Sequence, residues 1–301
     1  MLTISLTYLK KKKEGKRNNI HALPTFGTDF FSFNCRETLN DGSLNPFSAA
    51  AVRRAFVYAT DRTAIVKHAT RLNEPVLTSL VPPNSIEGYT TVNGLGFNPK
   101  KAVASLKDSG WEDRDKDGIL ENKRGELFPT IDLLYTTNTP RYKWIALFLR
   151  DQWESTLGVR VRLRGTDNKL FSSDLKNGNF MIARGRWYGD YGDPTTFLDV
   201  FRSNNGNNDR GYSNPEIDLA LNKAAIERDP KKRMAMLHDV ENKLFNEEVP
   251  MLVLCQLLQL YMYDPEKIEG LTVHPRLVQH LWRVNKLSGD QQIDTPHLQT
   301  N

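Results

Sequence analysis

Hydrophobic and polar positions repeat along this chain with two periods, and these predict strands and helices in turn. VRVRLRG (159–165) alternates at every second residue, which predicts a strand with one solvent-exposed face. The preceding segment RYKWIALFLRDQWESTLG (141–158) has apolar residues at helical spacing and predicts an amphipathic helix. The apolar runs TIDLLYT (130–136) and VPMLVLCQLLQLYMY (249–263) predict buried strands. Strands that alternate with helices indicate an α/β fold.

Three further helices are marked by a capping residue followed by proline. Asn98, Asn214 and Asp229 each stand directly before a proline, and their side chains can accept hydrogen bonds from the first free N–H groups of a helix. Another helix is predicted over SAAAVRRAFVYATDRTAIVKHA (48–69). DFFSFNC (29–35) predicts a buried strand.

Composition narrows the class of protein. A hydrophobic content of 39% and a charged content of 26% are typical of a globular protein. The net charge is +5, and part of the excess lies in the run KKKKEGKR (10–17), which argues against a nucleic-acid or membrane-surface binding face spread over the fold. Cys35 and Cys255 have no metal-ligand or CxxC neighbours, so we expect two buried free thiols, with a single disulfide as the alternative. No apolar run has the length of a membrane span, and the first residues lack the order of a secretory signal.

One stretch, MIARGRWYGDYGDPTTFLDVF (181–201), combines charged and aromatic residues at a predicted junction between a strand and a helix. FMIA (180–183) predicts the end of a strand. DPTTFLDVF (193–201) predicts a helix with Asp193 as its cap and Pro194 as its first residue, which gives Asp193 a structural role. Open α/β sheets build their binding crevices where a strand ends and a helix begins, so the residues between are candidates for a ligand site.

Two charged residues of this stretch have no evident structural role in the sequence. Arg184 and Asp190 carry opposite charges and are separated by Trp187 and Tyr188. A zwitterion with an extended body would suit them, because guanidinium binds a carboxylate, a carboxylate binds an ammonium group, and aromatic walls exclude water. Arg184 and Asp190 could equally form an ion pair with each other at the surface. Residue types alone do not decide between these two interpretations.

An acidic loop is the second candidate for chemistry. Asp113, Asp115 and Asp117 of DRDKDGILE stand at the spacing of a calcium-binding loop, but its twelfth position is Arg124, where a bidentate glutamate is needed. We therefore expect an acidic turn and no metal site. The histidines are scattered, and nucleotide-binding and nucleophile motifs are missing from the sequence, so we expect no cofactor.

Several segments, taken in order, resemble the family 5 extracellular solute-binding proteins, the oligopeptide- and dipeptide-binding components of ABC importers. They begin with FNCRETLNDGSLNPFSAAAVRRAFVYATDRTAIV, NPKKAVASLKDSGW and IDLLYTTNTPRYKWIALFLRDQWESTLGVRVRL. ARGRW, GDYGDPTTFL, NNDRGYSNPEIDLALNKA, VPMLVL and EGLTVHP follow. The resemblance covers residues from about 25 to about 285.

The resemblance implies roles for individual residues. The aspartate three positions after the motif tryptophan, Asp190 after Trp187, would hold the α-amino group of a peptide. Arg184, three positions before that tryptophan, would take the carboxylate of short peptides. Arg141 matches a position that can meet the carboxyl terminus of longer peptides, and Lys176 lies near another such position.

The resemblance also implies an architecture. Because family members are much longer, this chain is similar to the C-terminal lobe of a type II periplasmic-binding-protein fold with remnant strands of the N-terminal lobe. We expect an irregular basic start (1–24), remnant strands with hinge crossings (25–41 and 259–285), a ligand-binding lobe (42–258) and a polar tail (286–301).

The implied function is that of the peptide-binding subunit of an ABC transporter, in an N-terminally truncated form and without enzymatic activity. The expected partners are a peptide and the permease subunits, with no nucleic acid, and the expected state is a monomer. The full-length family is periplasmic or anchored outside the cytoplasm, whereas this sequence shows no signal peptide. Alternatives are a family member that binds nickel, a sugar or an opine, and a hydrolase that uses Asp190 and Asp193.

Overall fold

The computed structural model describes residues 19–271 and 280–287, so the predicted basic start up to residue 18 and most of the predicted tail lie outside the described residues. Five strands of this part form one sheet in the order β3-β2-β4-β1-β5, and two short strands form a separate pair, β6-β7. The strands are β1 (Ile20–Phe33), β2 (Ile131–Thr136), β3 (Val161–Thr166), β4 (Ile182–Tyr188), β5 (Met251–Met262), β6 (Ile268–Glu269) and β7 (Asn285–Lys286).

Helices fill the connections between the strands, which confirms the predicted α/β class. The α-helices are α1 (Ala50–Tyr58), α2 (Arg62–Ala64), α3 (Pro99–Asp108), α4 (Pro140–Leu157), α5 (Asn168–Lys176), α6 (Thr195–Leu198), α7 (Pro215–Ile226) and α8 (Pro230–Lys243). π-Helical turns continue α2 (Ile65–Thr70) and α8 (Leu244–Glu248), and 3₁₀ turns cover Pro46–Ser48, Asp199–Phe201 and Leu281–Arg283.

The helix starts predicted at Asn98, Asn214 and Asp229 are confirmed, whereas the helix predicted over 48–69 has a division that the periodicity did not indicate. The side chains of Asn98, Asn214 and Asp229 accept hydrogen bonds from backbone N–H groups of the following turn. The helix predicted over residues 48–69 is interrupted between α1 and α2. Asp61 begins α2 by accepting a hydrogen bond from the N–H of Ala64, because the chain needs a new cap after the break.

The strand directions decide which ends of the elements meet. β2 runs parallel to both β3 and β4, whereas β1 is antiparallel to both β4 and β5. β2 is buried along its whole length, which accounts for its continuous apolar run. Because α4 follows β2 and α5 follows β3, the first turns of both helices lie at the carboxyl edge of the parallel strands.

Two large hydrophobic clusters cover the two faces of the sheet. Leu133 and Ile182 belong to one cluster, beneath α1, α3 and α4. Phe30 and Val253 belong to the other, beneath α6, α7 and α8. The sheet is therefore the shared centre of the core, and side chains alternate between the two clusters along β1 and β5.

The expectation of an irregular start through residue 24 is wrong for Ile20–Pro24, which pair with the outer half of β5. Gly27–Phe33 pair with β4 and so share one sheet with strands assigned to the ligand-binding lobe. The rest of the domain division stays a prediction. Among the described residues, no helix is both long enough and apolar enough to span a membrane.

Candidate functional site

The candidate site is the carboxyl end of β4, the position at which open α/β sheets build their binding crevices, and we call this position the crevice. β4 pairs with β2 only at Ile182 and Ala183, yet it continues to Tyr188 alongside β1. The protruding part of β4 therefore faces the first turns of α4 and α5 instead of another parallel strand. Gly185 lies under the ring of Phe30, where a Cβ atom would come within 2.3 Å of Cε2, so the close contact between β1 and β4 requires glycine.

Arg184 belongs to β4, so the prediction that it follows the strand is wrong. Its Cζ atom lies 4.3 Å from the ring centroid of Tyr142 and 5.0 Å from that of Phe171. These rings come from the first turns of α4 and α5, which places the guanidinium at the carboxyl edge of the sheet. Both contacts are cation–π interactions.

The charge of Arg184 is not balanced by a direct contact. No carboxylate of the described residues forms an ion pair with it, and its buried Nε has no hydrogen-bond partner there. Burial lowers the pKa of the Arg184 guanidinium, and Tyr142 and Asp29 offset part of that shift. A cation with an unsatisfied N–H donor at the edge of a crevice can bind a carboxylate.

Asp190 lies in the loop between β4 and α6 and is exposed. Within residues 19–271 and 280–287 its carboxylate makes no hydrogen bond or ion pair, while its backbone N–H donates to Thr196 Oγ1 at 2.9 Å. The surface pair between Arg184 and Asp190, one of the two interpretations of the sequence, is therefore not formed. We call Arg184 and Asp190 the open charges.

Trp187 and Tyr188 do not form one aromatic wall beside Arg184. Alternation along β4 places Tyr188 on the same face as Arg184 and Trp187 on the opposite face. The indole of Trp187 packs against the cluster beneath α6–α8 and donates to the carbonyl of Thr196 at 2.6 Å. Tyr188 is 39% exposed, and its ring centroid lies 5.9 Å from Cζ of Arg186. Of the two predicted wall residues, Tyr188 shares the face of Arg184 and Trp187 supports the loop.

Asp193 has the structural role that the sequence predicted. Its Oδ1 accepts hydrogen bonds from the N–H and the hydroxyl of Thr195, at 3.0 and 2.7 Å, although α6 begins at Thr195, one residue later than predicted. Arg233 binds the same carboxylate through both terminal nitrogens. Burial by itself would raise the pKa of Asp193, but the hydrogen bonds from Arg233 and Thr195 outweigh it and lower that pKa. The carboxylate is therefore engaged by both Thr195 and Arg233.

Arg141, a predicted ligand residue, is instead the centre of a buried ion-pair cluster with Asp29 and Glu74. Its Nε and Nη2 lie 3.1 and 2.8 Å from Asp29 Oδ2, and its Nη1 binds Glu74 Oε1. The remaining contact of Nη2 is with Cys255 Sγ at 3.5 Å. Burial by itself would lower the pKa of Arg141, but its acidic neighbours, Asp29 foremost, raise it. The guanidinium is engaged within the protein in this structure, and a ligand role for Arg141 stays a prediction.

Asp29 was missed as a partner of Arg141, although a charged residue inside an apolar strand is a recognisable signal for a buried ion pair. Both cysteines are free thiols, as predicted, with Cys255 buried and Cys35 half-buried. Burial raises the pKa of each thiol, which keeps both protonated at neutral pH.

Lys176 does not reach the open charges. Its Nζ pairs with Asp209 at 2.8 Å and donates to the carbonyl of Gly206 at 2.9 Å. It is the last residue of α5, which begins at the carboxyl end of β3 and returns towards the amino end of β4. Lys176 therefore lies at the edge of the sheet opposite the crevice.

The acidic loop brings three carboxylates together. Asp113, Asp115 and Asp117 each offer an oxygen atom within 4.8 Å of the others. Asp113 Oδ2 accepts from Gly118 N at 3.1 Å, and Asp117 Oδ1 accepts from Ile119 N at 2.8 Å, so the carboxylates also close the turn. The expectation of an acidic turn without a metal stays a prediction.

A family model described as bacterial extracellular solute-binding proteins, family 5 Middle, matches residues 1–209 of the 301 residues. The chain belongs to family 5 of the bacterial extracellular solute-binding proteins. Two curated family members from Bacillus subtilis illustrate the relationship. The dipeptide-binding protein DppE is 29% identical over 262 residues, and the oligopeptide-binding protein OppA is 30% identical over 267 residues. Each alignment covers 86% of this chain and 45% of the relative.

Solved structures agree with membership of family 5. An oligopeptide-binding protein of Borrelia burgdorferi superimposes with a TM-score of 0.75 at 25% identity, covering 92% of this chain and 51% of that one. The murein tripeptide-binding protein MppA of Escherichia coli gives a TM-score of 0.76 at 23% identity and shows the same fold over 93% of this chain and 52% of its own. The predicted resemblance and the periplasmic-binding-protein fold are confirmed. The chain spans about half the length of the relatives it matches.

Proposed function

We propose that this chain is the ligand-binding lobe of the peptide-binding component of an ABC importer, and that it binds without catalysis. The observation that carries the proposal is the pair of open charges, since Arg184 and Asp190 are opposite in sign and neither forms an ion pair among the described residues. A peptide with free termini carries the complementary charges at its two ends. The names of the relatives DppE and OppA support this choice of ligand.

The spacing along β4 favours short peptides. Arg184 and Tyr188 are separated by about 13 Å along the strand, at roughly 3.3 Å per residue, and Asp190 follows after Gly189. An extended peptide spans at most about 3.6 Å per residue, so roughly four residues match the distance from Arg184 to Tyr188. Side chains that reach towards the ligand shorten the peptide length that fits. We propose that Asp190 takes the amino group, that Arg184 takes the carboxylate and that Tyr188 covers the backbone between them.

The partners of the whole protein follow from this proposal. A second lobe would close over the ligand, and permease subunits would receive it outside the cytoplasm. We propose a monomer with no nucleic-acid partner and no resident cofactor. Some family 5 relatives carry names that point to other ligands, such as a probable deoxycholate-binding protein of Escherichia coli, so the ligand class requires a direct test.

The test is calorimetric titration of the full chain with a tripeptide that has free termini. Asp190→Ala should weaken binding about ten- to hundredfold, because a charge-assisted hydrogen bond contributes roughly 1.5–3 kcal/mol. Asp239→Ala is the matched control, since that carboxylate is 85% exposed on α8, away from the crevice. Unchanged affinity in Asp190→Ala would remove Asp190 from the site. Binding of nickel, a sugar or an opine without any peptide binding would overturn the peptide assignment, and peptide turnover would overturn the absence of catalysis.

A further inference from the structure

We propose that Thr196 and the ion pair between Asp193 and Arg233 are positioning elements for Asp190, so that residues away from the ligand set the selectivity for a free amino group. This inference rests on the proposed function of Asp190. Since the Asp190 carboxylate has no bond of its own to any described residue, its direction depends on how firmly its backbone is held.

Thr196 holds that backbone from two sides. Its side-chain oxygen accepts the N–H of Asp190 at 2.9 Å, and its carbonyl accepts the indole N–H of Trp187 at 2.6 Å. Its own N–H donates to the carbonyl of Asp193 at 3.1 Å. Thr196 is only 4% exposed, so these bonds are protected from competing water. One buried residue therefore connects the end of β4, the loop and the first turn of α6.

Arg233 anchors the other end of the loop. It lies in the first turn of α8 and binds Asp193 through both terminal nitrogens, with one contact at 3.0 Å. Further along the same helix, Leu237 and Val240 are buried in the cluster beneath α6–α8. The loop that carries Asp190 is thus attached to a packed helix through the ion pair between Asp193 and Arg233.

A fixed backbone at Asp190 increases selectivity, because a charge-assisted hydrogen bond weakens steeply when its angle or distance changes. A ligand amine gains the full interaction only if the carboxylate is aimed before the ligand arrives. The contacts that a peptide makes elsewhere in the crevice do not depend on the orientation of the Asp190 carboxylate. Loosening the loop should therefore reduce the preference for a free amine over a blocked one more than it reduces peptide binding in general.

The experiment measures one ratio: the Kd of the full chain for an N-acetylated tripeptide divided by its Kd for the same tripeptide with a free amine. Thr196→Val keeps the shape of the side chain and removes the acceptor, and it should lower the ratio about three- to tenfold. Thr196→Ser keeps the hydroxyl and should leave the ratio close to that of the wild type. Asp190→Ala should bring the ratio close to one.

The outcomes separate the two claims. If Asp190→Ala collapses the ratio while Thr196→Val weakens both peptides equally, the positioning role fails and the function proposed for Asp190 stands. If Asp190→Ala leaves the ratio unchanged, the proposed function itself fails and the positioning role fails with it. Should Thr196→Val not fold, Arg233→Gln tests the same idea, with an expected two- to fivefold fall in the ratio and partial recovery in Arg233→Lys. An unchanged ratio in Arg233→Gln would overturn the part assigned to the ion pair.

Discussion

Two groups of charges lie within the same sheet and its edge, and they are organised in opposite ways. The buried ion-pair cluster joins Arg141 to Asp29 and Glu74, and all three residues are at most 8% exposed. The open charges, Arg184 and Asp190, have no ion-pair partners among the described residues, one held between aromatic rings and the other exposed on a loop. All five residues are acids or bases, and the sequence offered three of them, Arg141, Arg184 and Asp190, as ligand residues.

The comparison shows that the presence of an ion-pair partner, and not the residue type, distinguishes a structural charge from a functional one. A buried charge needs ion-pair or hydrogen-bond partners, because the cost of removing it from water is several kcal/mol. Once paired, it has little left to offer a ligand. An unpaired charge at a crevice retains its donors or acceptors for a molecule that arrives from solution.

The largest expected effect comes from breaking the buried cluster. Arg141→Met should lower the free energy of unfolding by about 3–5 kcal/mol, because it leaves two buried carboxylates without their cation. Equilibrium unfolding of the full chain in guanidinium chloride measures this loss. Arg150→Met on the same helix is the control and should cost less than about 1 kcal/mol, since its ion pairs lie at the surface. A loss below about 1 kcal/mol in Arg141→Met would show that the fold does not depend on the buried ion-pair cluster.

Removing an open charge should change binding and spare stability. Arg184→Met keeps an unbranched side chain and removes the guanidinium over Tyr142, and it should weaken the binding of a tripeptide with a free carboxylate about ten- to hundredfold. The C-terminally amidated tripeptide should lose little affinity, and the free energy of unfolding should not fall. Equal losses for the two peptides would contradict a carboxylate role for Arg184.

A smaller effect is expected from the rings that hold Arg184. Phe171→Leu removes one cation–π contact, worth about 0.5–1 kcal/mol, and should weaken carboxylate binding about two- to fivefold. Tyr142→Phe retains its ring and should bind as the wild type does. An equal loss in Tyr142→Phe would shift the contribution from the ring to the hydroxyl group. Titration with the free-acid tripeptide measures both variants.

The smallest effect concerns acid stability at the loop. The pKa of Asp193 is lowered in the folded state, so its contribution is fully present above the unfolded pKa of about 3.9 and is lost as the pH falls through the folded pKa. The stability difference between the wild type and Asp193→Asn should therefore shrink between about pH 6 and about pH 2. The change should be modest, because the carboxylate is partly exposed and solvent screens the ion pair. A difference that does not vary with pH would show that Arg233 does not stabilise the ionised carboxylate.

Local patterns in the sequence were sufficient for most of the fold. Helix starts at Asn98, Asn214 and Asp229 were predicted correctly because a cap acts on N–H groups two or three residues away. The extent of β4 was not, because RGRWY lacks the apolar alternation of a half-buried strand. Those residues are strand because β1 pairs with them, and β1 is distant in the sequence. Had the strand been extended to Tyr188, alternation would have separated Trp187 from Arg184.

The sequence was enough for the α/β class, most of the elements, the family resemblance and the choice of Arg184 and Asp190 as candidates. The tertiary structure decided which charges were open. Arg141 and Lys176 were candidate ligand residues like Arg184, because all three are basic. Both form ion pairs with acids that are distant in the chain, Arg141 with Asp29 and Glu74 and Lys176 with Asp209. The physical reason is that secondary structure follows from neighbours along the chain, whereas the availability of a charge depends on what folding places within about 4 Å of it.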